Sequence, residues 1–444
     1  MPCALVPTWL EAFLTHIGGR SDGAMGSHRA VKRYMTPMAR HYGMDWLRVG
    51  AFALLILYHT AMVFTPWGFH VKTAQPVEWL SVLMLVTNPW RLTLLFVVSG
   101  YASRALLGKS GGVAKFMSSR SSRLLIPLIF GMVVMVPPQS WVEVTTQHGY
   151  TQGFGHFLAQ DYFRFRAIDG VFLPTWNHLW FVAYLWTYTA ALSLLLLVPR
   201  PERLQAWFDT IFGGWRALVL PVVYLVLSQV VIFHRWSDSQ DLINDGVAHL
   251  GYFPAFLFGF GLARSPRVLA AFVRWWKPAV VLAVLSYAFG AGVEIVYPGD
   301  LVPPQWLGDQ MLVAHQIQCW SAVAALIGIA ERFWNRDGAW RPTLTEAVFP
   351  FYLIHQTIIV VVEYWLRPLG IGALGEFLIL VPTTVAGCWA FYLIGREVNW
   401  LRPLIGLRRR SAKATARRHD DKPKTLVAGD PWRRRRDNTQ PDPA

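Results

Sequence analysis

Residues 44–65 read MDWLRVGAFALLILYHTAMVFT, the first long apolar run of the chain. A helix needs about 20 mostly apolar residues to cross the hydrocarbon core of a bilayer. Only 15% of the 444 residues are charged, against about 25% in an average soluble chain, and 54% are hydrophobic. The run and the composition together predict a membrane protein.

Apolar runs of this kind recur along the chain, and they predict an all-α, polytopic membrane protein with about ten transmembrane helices. The third segment is short and is predicted to stop at Pro137–Pro138. The longest outer loop is then Pro137–Trp176, whose aromatic residues favour an ordered structure. The ten segments are Trp46–Thr65, Trp79–Leu107 with an interruption at Asn88–Arg91, Leu124–Val136, Asn177–Val198, Trp215–Phe233, Ala248–Ala263, Pro278–Tyr297, Met311–Ala330, Leu344–Leu366 and Ala373–Val398.

The basic residues are unevenly distributed among the loops between these segments. Loops on one side contain most of the Arg and Lys residues, whereas the opposite loop Pro298–Gln310 contains none. Because basic loops stay in the cytoplasm, both termini are predicted to be cytoplasmic. The net charge of +15 is concentrated in these loops and in the C-terminal tail, which favours contact with anionic membrane lipid over nucleic-acid binding.

These patterns divide the chain into three predicted regions. Residues 1–41 are expected to form a poorly ordered N-terminal cytoplasmic segment, and residues 42–404 the transmembrane domain. Residues 405–444 lack apolar periodicity and are expected to form a basic, disordered cytoplasmic tail. The three cysteines have no metal-ligand spacing, so no metal site is predicted.

Arg48 and His59 lie on one face of the first predicted helix. They are eleven residues apart, which is three turns plus about 20°, with a rise of about 16 Å. Arg48 is therefore expected near the cytoplasmic boundary and His59 near mid-membrane. A histidine at that depth is costly unless it faces a cavity or another protein group, and imidazole suits acid–base catalysis. A structural histidine bonded to a neighbouring helix is the alternative.

Three more arginines and one more histidine are candidate functional residues. Arg120 and Arg123 are three residues apart at the cytoplasmic start of the third helix, where two guanidinium groups on one face can bind phosphate oxygens. An anchor that fixes the topology is the alternative role of this arginine pair.

Arg91 follows Pro89 in the interrupted second segment, and an arginine at such a break marks a cavity more often than a lipid-facing surface. His355 is expected near mid-membrane in the ninth segment, where helix packing is the alternative role.

Together these residues resemble membrane-bound acyltransferase family 3, and most of all its glucan-biosynthesis branch. The family pattern on the first helix is a basic residue, ten intervening residues and a histidine, which Arg48 and His59 fit. The paired-arginine motif of the family is similar to Arg120-Ser-Ser-Arg123. Three further stretches look like family motifs, namely LFVVSGY at Leu95–Tyr101, HLWF at His178–Phe181 and FYLIH at Phe351–His355.

The resemblance implies an enzyme of a bacterial inner membrane that uses acyl-CoA as a substrate, with no bound cofactor. A succinyl or acetyl group is expected to pass from cytoplasmic acyl-CoA to an extracytoplasmic glucan or other carbohydrate. His59 is expected to be catalytic, as a general base or as an acyl carrier. A transporter or flippase for a polysaccharide or lipid-linked glycan is the alternative, although no repeat relates the two halves of the chain. The residues expected to bind the donor are Arg48, Arg91, Arg120 and Arg123.

Aromatic and polar residues on the extracytoplasmic side, or just below it, are predicted to bind the acceptor. Aromatic faces can cover the C–H surfaces of a sugar while carboxylates and imidazoles bind its hydroxyl groups. An aromatic belt at the membrane interface is the alternative for the tryptophans. The candidates are Trp141, Glu143, His178, Trp180, Glu294, His315 and His355.

Overall fold

A computed structural model gives the structure of the protein, and the residues described are 41–410 except 169, 198–200, 234–238 and 300. Within these residues the chain forms fourteen α-helices, three π-helical turns, the two 3-10 turns Asn177–Leu179 and Arg367–Leu369, and one two-stranded hairpin. The α-helices are α1 Tyr42–Met62, α2 Leu80–Met84, α3 Arg91–Ser110, α4 Val113–Phe130, α5 Val136–Gln147, α6 Phe154–His156, α7 Trp180–Leu195, α8 Pro201–Ile211, α9 Arg216–Val226, α10 Gly246–Leu262, α11 Pro266–Val296, α12 Gln305–Phe333, α13 Arg341–Leu366 and α14 Gly372–Glu397. The π-helical turns are Gly131–Met135, Phe157–Asp161 and Leu227–Ile232, and the strands are β1 Arg166–Ile168 and β2 Val171–Leu173.

The all-α class predicted from the apolar runs is confirmed. Among the described residues, six helices are long and apolar enough to cross a membrane, and there are seven spans if the bent pair Glu202–Ile211 and Arg216–Ile232 counts as one. The ten predicted crossings are not confirmed, and they stay a prediction, as does the orientation of the termini. The charges of Asp45 and Arg48 lower the hydropathy of α1, and α10 is only 17 residues long.

The third predicted segment extends further than expected. Helix α4 continues through the π-helical turn Gly131–Met135 into α5, and the helical run Val113–Gln147 spans 35 residues. The predicted stop at Pro137–Pro138 is wrong. Both prolines lie in the first turn of α5, where a missing N–H group and a fixed φ angle are tolerated. The predicted outer loop Pro137–Trp176 therefore begins as a helix.

The rest of that loop is organised around Asp161. Its carboxylate accepts hydrogen bonds from the hydroxyl of Tyr150 at 2.7 Å and from Nη2 of Arg166 at 2.6 Å. These two donors hold the pKa of Asp161 below its ordinary value. Strands β1 and β2 then pair antiparallel, with Arg166 opposite Leu173. The loop thus has a defined structure at the point where the chain returns to α7.

The predicted interruption of the second segment is present, because α2 ends in a series of turns and α3 begins at Arg91. Helix α3 then packs against α10 with the two backbones in contact. A Cβ atom on Gly100 would lie 1.9 Å from the carbonyl oxygen of Phe256, and one on Gly259 would lie 1.9 Å from that of Val97. Small residues are what allow two membrane helices to approach so closely.

One end of the bundle contains the start of α1, the end of α12 and the start of α13, and we call it the Arg48 end. His41 Nδ1 hydrogen-bonds to Glu331 at 2.8 Å, and Nη1 of Arg341 donates to Asp45 at 2.9 Å. The Glu331 carboxylate raises the pKa of His41 above its ordinary value. Ion pairs across three helices therefore fix the start of α1.

The C-terminal part of the described chain continues to pack after α14. The compact unit that contains the helices ends at Leu407. Ile405, at the start of the predicted tail, is buried against Gly395. Most of the predicted tail, from residue 411, and all of the predicted N-terminal segment except His41 lie outside the described residues.

Candidate active site

Helix α1 positions both residues of the first-helix motif. It is uninterrupted from Tyr42 to Met62, so Arg48 and His59 are separated along its axis by about 16 Å, as predicted. Both side chains are half-buried. The ring of His59 also lies near that of Phe69, with 6.3 Å between the centroids. The motif therefore places one group at the Arg48 end and the other deep in the bundle.

His59 is hydrogen-bonded to a second histidine that comes from α13. Its Nδ1 lies 2.8 Å from Nε2 of His355, and Nδ1 of His355 lies 2.7 Å from the carbonyl oxygen of Tyr352. A backbone carbonyl can only accept, so Nδ1 of His355 carries a proton and Nε2 of neutral His355 accepts one from His59. Nε2 of His59 is then the unprotonated nitrogen, and it is available to a bound substrate.

The Tyr352 carbonyl also orients a third histidine, His178, in the 3-10 turn that leads into α7. Nε2 of His178 donates to this carbonyl over 3.1 Å, and the hydroxyl of Tyr352 donates in turn to the carbonyl oxygen of His178. His178 is only 6% exposed, and among the described residues its Nδ1 has no hydrogen-bond partner. This nitrogen is therefore a buried acceptor that a ligand could satisfy.

A cavity of about 320 Å³ adjoins the histidines, and we call it the His59 cavity. Arg91 gives its described lining a permanent positive charge, and no Asp or Glu is among the described lining residues. In the described part of the chain, no group of three or more His, Cys, Asp or Glu side chains is arranged to hold a metal ion. Five of the residues singled out in the sequence line this cavity, namely His59, Arg91, His178, Trp180 and His315.

Arg91 is held in place at the start of α3. Its guanidinium carbon lies 3.4 Å from the ring centroid of Tyr58, the neighbour of His59 on α1. Nη1 of Arg91 donates to the side-chain oxygen of Asn88 at 2.6 Å, and the hydroxyl of Tyr58 donates to the same oxygen at 3.2 Å. The broken second segment thus fixes a cation beside His59, far from Arg48.

Four of the predicted acceptor-binding residues do not line the His59 cavity. His355 lies behind His59 and is fully buried. Trp141 packs among aromatic rings and donates from Nε1 to a backbone carbonyl. Glu143 hydrogen-bonds to His70 at 2.6 Å, and Glu294 is half-buried on α11. The structure therefore gathers the histidines and Trp180 but leaves both predicted carboxylates apart from them.

Two of the predicted donor-binding arginines come together at the Arg48 end. Nη2 of Arg48 donates to the carbonyl oxygen of Thr345 at 2.9 Å, and Arg120 on α4 lies within electrostatic range of Arg48. Nε and Nη2 of Arg120 are buried, and neither has a hydrogen-bond partner among the described residues. Arg123 is half-buried one turn further along α4. Buried donors next to a second cation form a site suited to an anion.

An aromatic layer separates this arginine pair from the His59 cavity. Phe52, Phe181 and Tyr352 are all buried, and their ring centroids are 5.6 to 6.4 Å apart. Phe52 lies on α1 between Arg48 and His59, one turn from the arginine and two from the histidine. The two parts of the site are therefore separated by three rings.

Three residues that shape the cavity could not be assigned a role from the sequence. Tyr352 lies within the FYLIH stretch, but its carbonyl could not be assigned a role without the fold. Asn88 precedes Pro89 at the break, which is the local feature that could have identified it. Gln240 lies in a loop with no motif, and only the structure brings it to the cavity.

Comparison with known proteins identifies the family of the chain. The profile of the acyltransferase domain of acyltransferase family 3 matches residues 41–393. The chain is similar to glucans biosynthesis protein C of Escherichia coli O6:K15:H31 (strain 536 / UPEC), at 22% identity over 346 residues, covering 75% of this chain and 85% of the relative. The protein of the same name from strain ED1a of serotype O81 is 21% identical over the same length, with the same coverage of both chains.

No solved structure matches the chain. The family profile covers most of the chain, including Arg48, Arg120 and all three histidines around Tyr352. This protein therefore belongs to acyltransferase family 3 and is a membrane acyltransferase.

Proposed function

We propose that the protein transfers an acyl group from acyl-CoA, bound at the arginine pair, to a carbohydrate hydroxyl group in the His59 cavity. The observation that carries the proposal is the hydrogen-bond chain from His59 through His355 to the Tyr352 carbonyl, which leaves Nε2 of His59 unprotonated beside a cavity. The names of the relatives, which place them in glucan biosynthesis, support a glucan or related carbohydrate as the acceptor.

His59 has the geometry of a general base in this reaction. A hydroxyl group of the acceptor gives its proton to Nε2 of His59 while its oxygen attacks the thioester carbonyl carbon. The tetrahedral adduct then collapses, the C–S bond breaks, and the proton passes from His59 to the departing sulfur. The products are the ester and CoA. Protonated His59 is stabilised by its hydrogen bond to His355, which is charge-assisted at that stage.

Nucleophilic catalysis by the same nitrogen is the other route that fits the geometry. Nε2 of His59 would attack the thioester, CoA would leave, and the acceptor hydroxyl would then displace the acyl group from the ring. The two routes differ in one intermediate. Acid quenching of the enzyme with labelled acyl-CoA and no acceptor traps an acyl group on His59 only if the nucleophilic route operates.

The donor is proposed to bind from the Arg48 end. Arg48 and Arg120, with Arg123 one turn away, supply guanidinium groups for the phosphates of CoA. The pantetheine arm then extends along α1 and passes the aromatic layer to reach His59. We propose that the Arg48 end is cytoplasmic and that the other end faces the extracytoplasmic side of a bacterial inner membrane, in contact with its lipids. Trp180, His178 and His315 would bind the acceptor, with Trp141, Glu143 and Glu294 outside this inner subsite.

The charge of the cavity favours succinyl over acetyl as the transferred group. Arg91 is fixed beside His59 by Tyr58 and Asn88, and no carboxylate is among the described lining residues. A hydrogen bond to a charged group contributes about 1.5–3 kcal/mol, or about 10- to 150-fold in rate. Arg91→Gln should lower kcat/KM for succinyl-CoA by that factor and change it little for acetyl-CoA. An equal loss for both donors would remove the carboxylate from the proposal.

The test of the function is CoA release by the purified protein in lipid nanodiscs. Succinyl-CoA and acetyl-CoA are supplied with and without glucose oligosaccharides, and the acylated sugar is identified by mass spectrometry. Sugar-dependent CoA release that is lost in His59→Ala supports the proposal. Movement of glycan across the membrane of proteoliposomes without any acylated product would instead support a flippase.

A further inference from the structure

Among its described residues, the loop before α10 brings one side chain, the polar Gln240, to the His59 cavity. Gln240 lines the cavity although its side chain is exposed, so it lies at the opening of the cavity. Its φ angle is +58°, in the left-handed region that non-glycine residues seldom adopt. The fold therefore holds this residue in a conformation that its own backbone preferences disfavour.

Asp245 holds the loop in this conformation. It is 2% exposed, and its Oδ2 accepts hydrogen bonds from the backbone N–H groups of Ser239 at 3.0 Å and Gln240 at 2.8 Å. The hydroxyl of Tyr184 on α7 donates to the same oxygen at 3.0 Å, while Oδ1 accepts from the N–H group of Ala248 at the start of α10. One buried carboxylate thus connects the loop to two helices of the bundle.

A second contact fixes the middle of the loop. Nε2 of His249 donates to the carbonyl oxygen of Leu242 at 2.8 Å, and Nδ1 of His249 accepts from the hydroxyl of Tyr188 at 3.1 Å. Tyr184, which binds Asp245, also packs edge-on against Trp180 of the cavity lining, with 5.1 Å between the ring centroids. The loop is therefore built onto α7, which provides Trp180 and directly follows the turn that contains His178.

We propose that Gln240 is a specificity-determining residue for the acceptor and that Asp245 is the positioning residue that holds it. This inference rests on the proposed function. An amide side chain both donates and accepts hydrogen bonds and carries no charge, which suits the hydroxyl groups of a neutral sugar. On the cavity wall, the unpartnered Nδ1 of buried His178 can accept from a second hydroxyl group. The two side chains together would select the sugar hydroxyl that reaches His59.

The test uses full-length protein in nanodiscs with succinyl-CoA, a glucose disaccharide and its monodeoxy analogues. Gln240→Ala should raise the KM for the disaccharide about 3- to 10-fold, the effect of one hydrogen bond. The KM for the donor and kcat at saturating acceptor should stay at wild-type values. At least one deoxy analogue that the wild type discriminates against should become as good an acceptor as the parent sugar. Asn244→Ala, which removes an exposed amide from the same loop, is the matched control and should change none of these.

Gln240→Gly separates recognition from folding. Glycine adopts the left-handed conformation without strain, so thermal stability should be unchanged or higher while the KM for the acceptor rises as in Gln240→Ala. Tyr184→Phe, which removes one donor to Asp245 and keeps the ring, should raise the KM for the acceptor less than Gln240→Ala does, with kcat retained. Unchanged discrimination between parent and deoxy sugars in both Gln240 variants would overturn the assignment of Gln240. Failure of the wild type to acylate any of these sugars would overturn the proposed function itself.

Discussion

Replacing His355 with leucine is expected to lower kcat and to leave the KM values for donor and acceptor near those of the wild type. When His59 holds the transferred proton, its 2.8 Å hydrogen bond to His355 is charge-assisted. A hydrogen bond to a charged group contributes about 1.5–3 kcal/mol, and about 1.4 kcal/mol corresponds to a factor of ten in rate. We therefore expect kcat to fall by about 10- to 150-fold, because the bond is strongest in the transition state and weaker before it.

The assay is the release of CoA with both substrates saturating, measured on protein of confirmed monodispersity. His355→Gln is the matched variant, since its Oε1 can accept the proton that Nε2 of His355 accepts, and its loss of kcat should be smaller. His59→Ala should lower kcat by about 100- to 10,000-fold, the usual contribution of a general base. Adding His355→Leu to that variant should cause no further loss, since His355 acts through His59. A wild-type kcat in folded His355→Leu, or a full additional loss in the double variant, would refute this role.

Three further changes test other parts of the molecule. Arg120→Lys keeps the charge but loses the planar guanidinium group, so the apparent KM for acyl-CoA should rise about 3- to 10-fold with kcat unchanged. An unchanged KM would indicate that Arg120 only fixes the topology. Because Glu331 raises the pKa of His41, their pair stabilises the fold fully below pH 6.5 and loses this contribution as the pH rises through the raised pKa. His41→Gln should therefore lower the thermal midpoint at pH 6 and have less effect at pH 8.5, whereas an equal effect at both values would count against the ion pair. Gly259→Ala should destabilise the protein by about 1–3 kcal/mol or more, because its Cβ would overlap a backbone carbonyl. Gly290→Ala is the control and should be tolerated, since a Cβ atom there would have no neighbouring atom within 4 Å. Equal thermal midpoints for the two variants would contradict the close packing.

Relations within one helix could be predicted from the sequence, because the period of the helix fixes them. The common face of Arg48 and His59 follows from their spacing of eleven residues, and the break before Arg91 follows from the neighbouring proline. The pairing of His59 with His355 depends on how α1 packs against α13, which no local pattern encodes. The sequence therefore identified both histidines but assigned His355 to the acceptor site and not to a position behind His59.

Other differences have equally specific causes. Pro137 and Pro138 suggested a helix end, but a π-helical turn places them at the start of a new α-helical segment, and such a turn has no reliable sequence pattern. Glu143 is a predicted acceptor-binding residue because the predicted topology places it on the extracytoplasmic side. In the structure its partner is His70, from a loop that carries no motif. Position along a helix axis could be predicted, whereas the direction of a side chain around the bundle could not.

The aromatic layer of Phe52, Phe181 and Tyr352 has a consequence for the energetics of the cell. A bacterial membrane stores energy as an electrochemical gradient, and a wet path between the arginine pair and the His59 cavity would let protons discharge it. Three buried rings interrupt that path with apolar surface, which water wires cannot cross cheaply. In the proposed reaction the pantetheine arm of the donor would pass between these rings to reach His59, and it would fill the passage while the rings are apart. Under the proposed function the donor would therefore block the path that it opens, and proton leakage during catalysis would stay low.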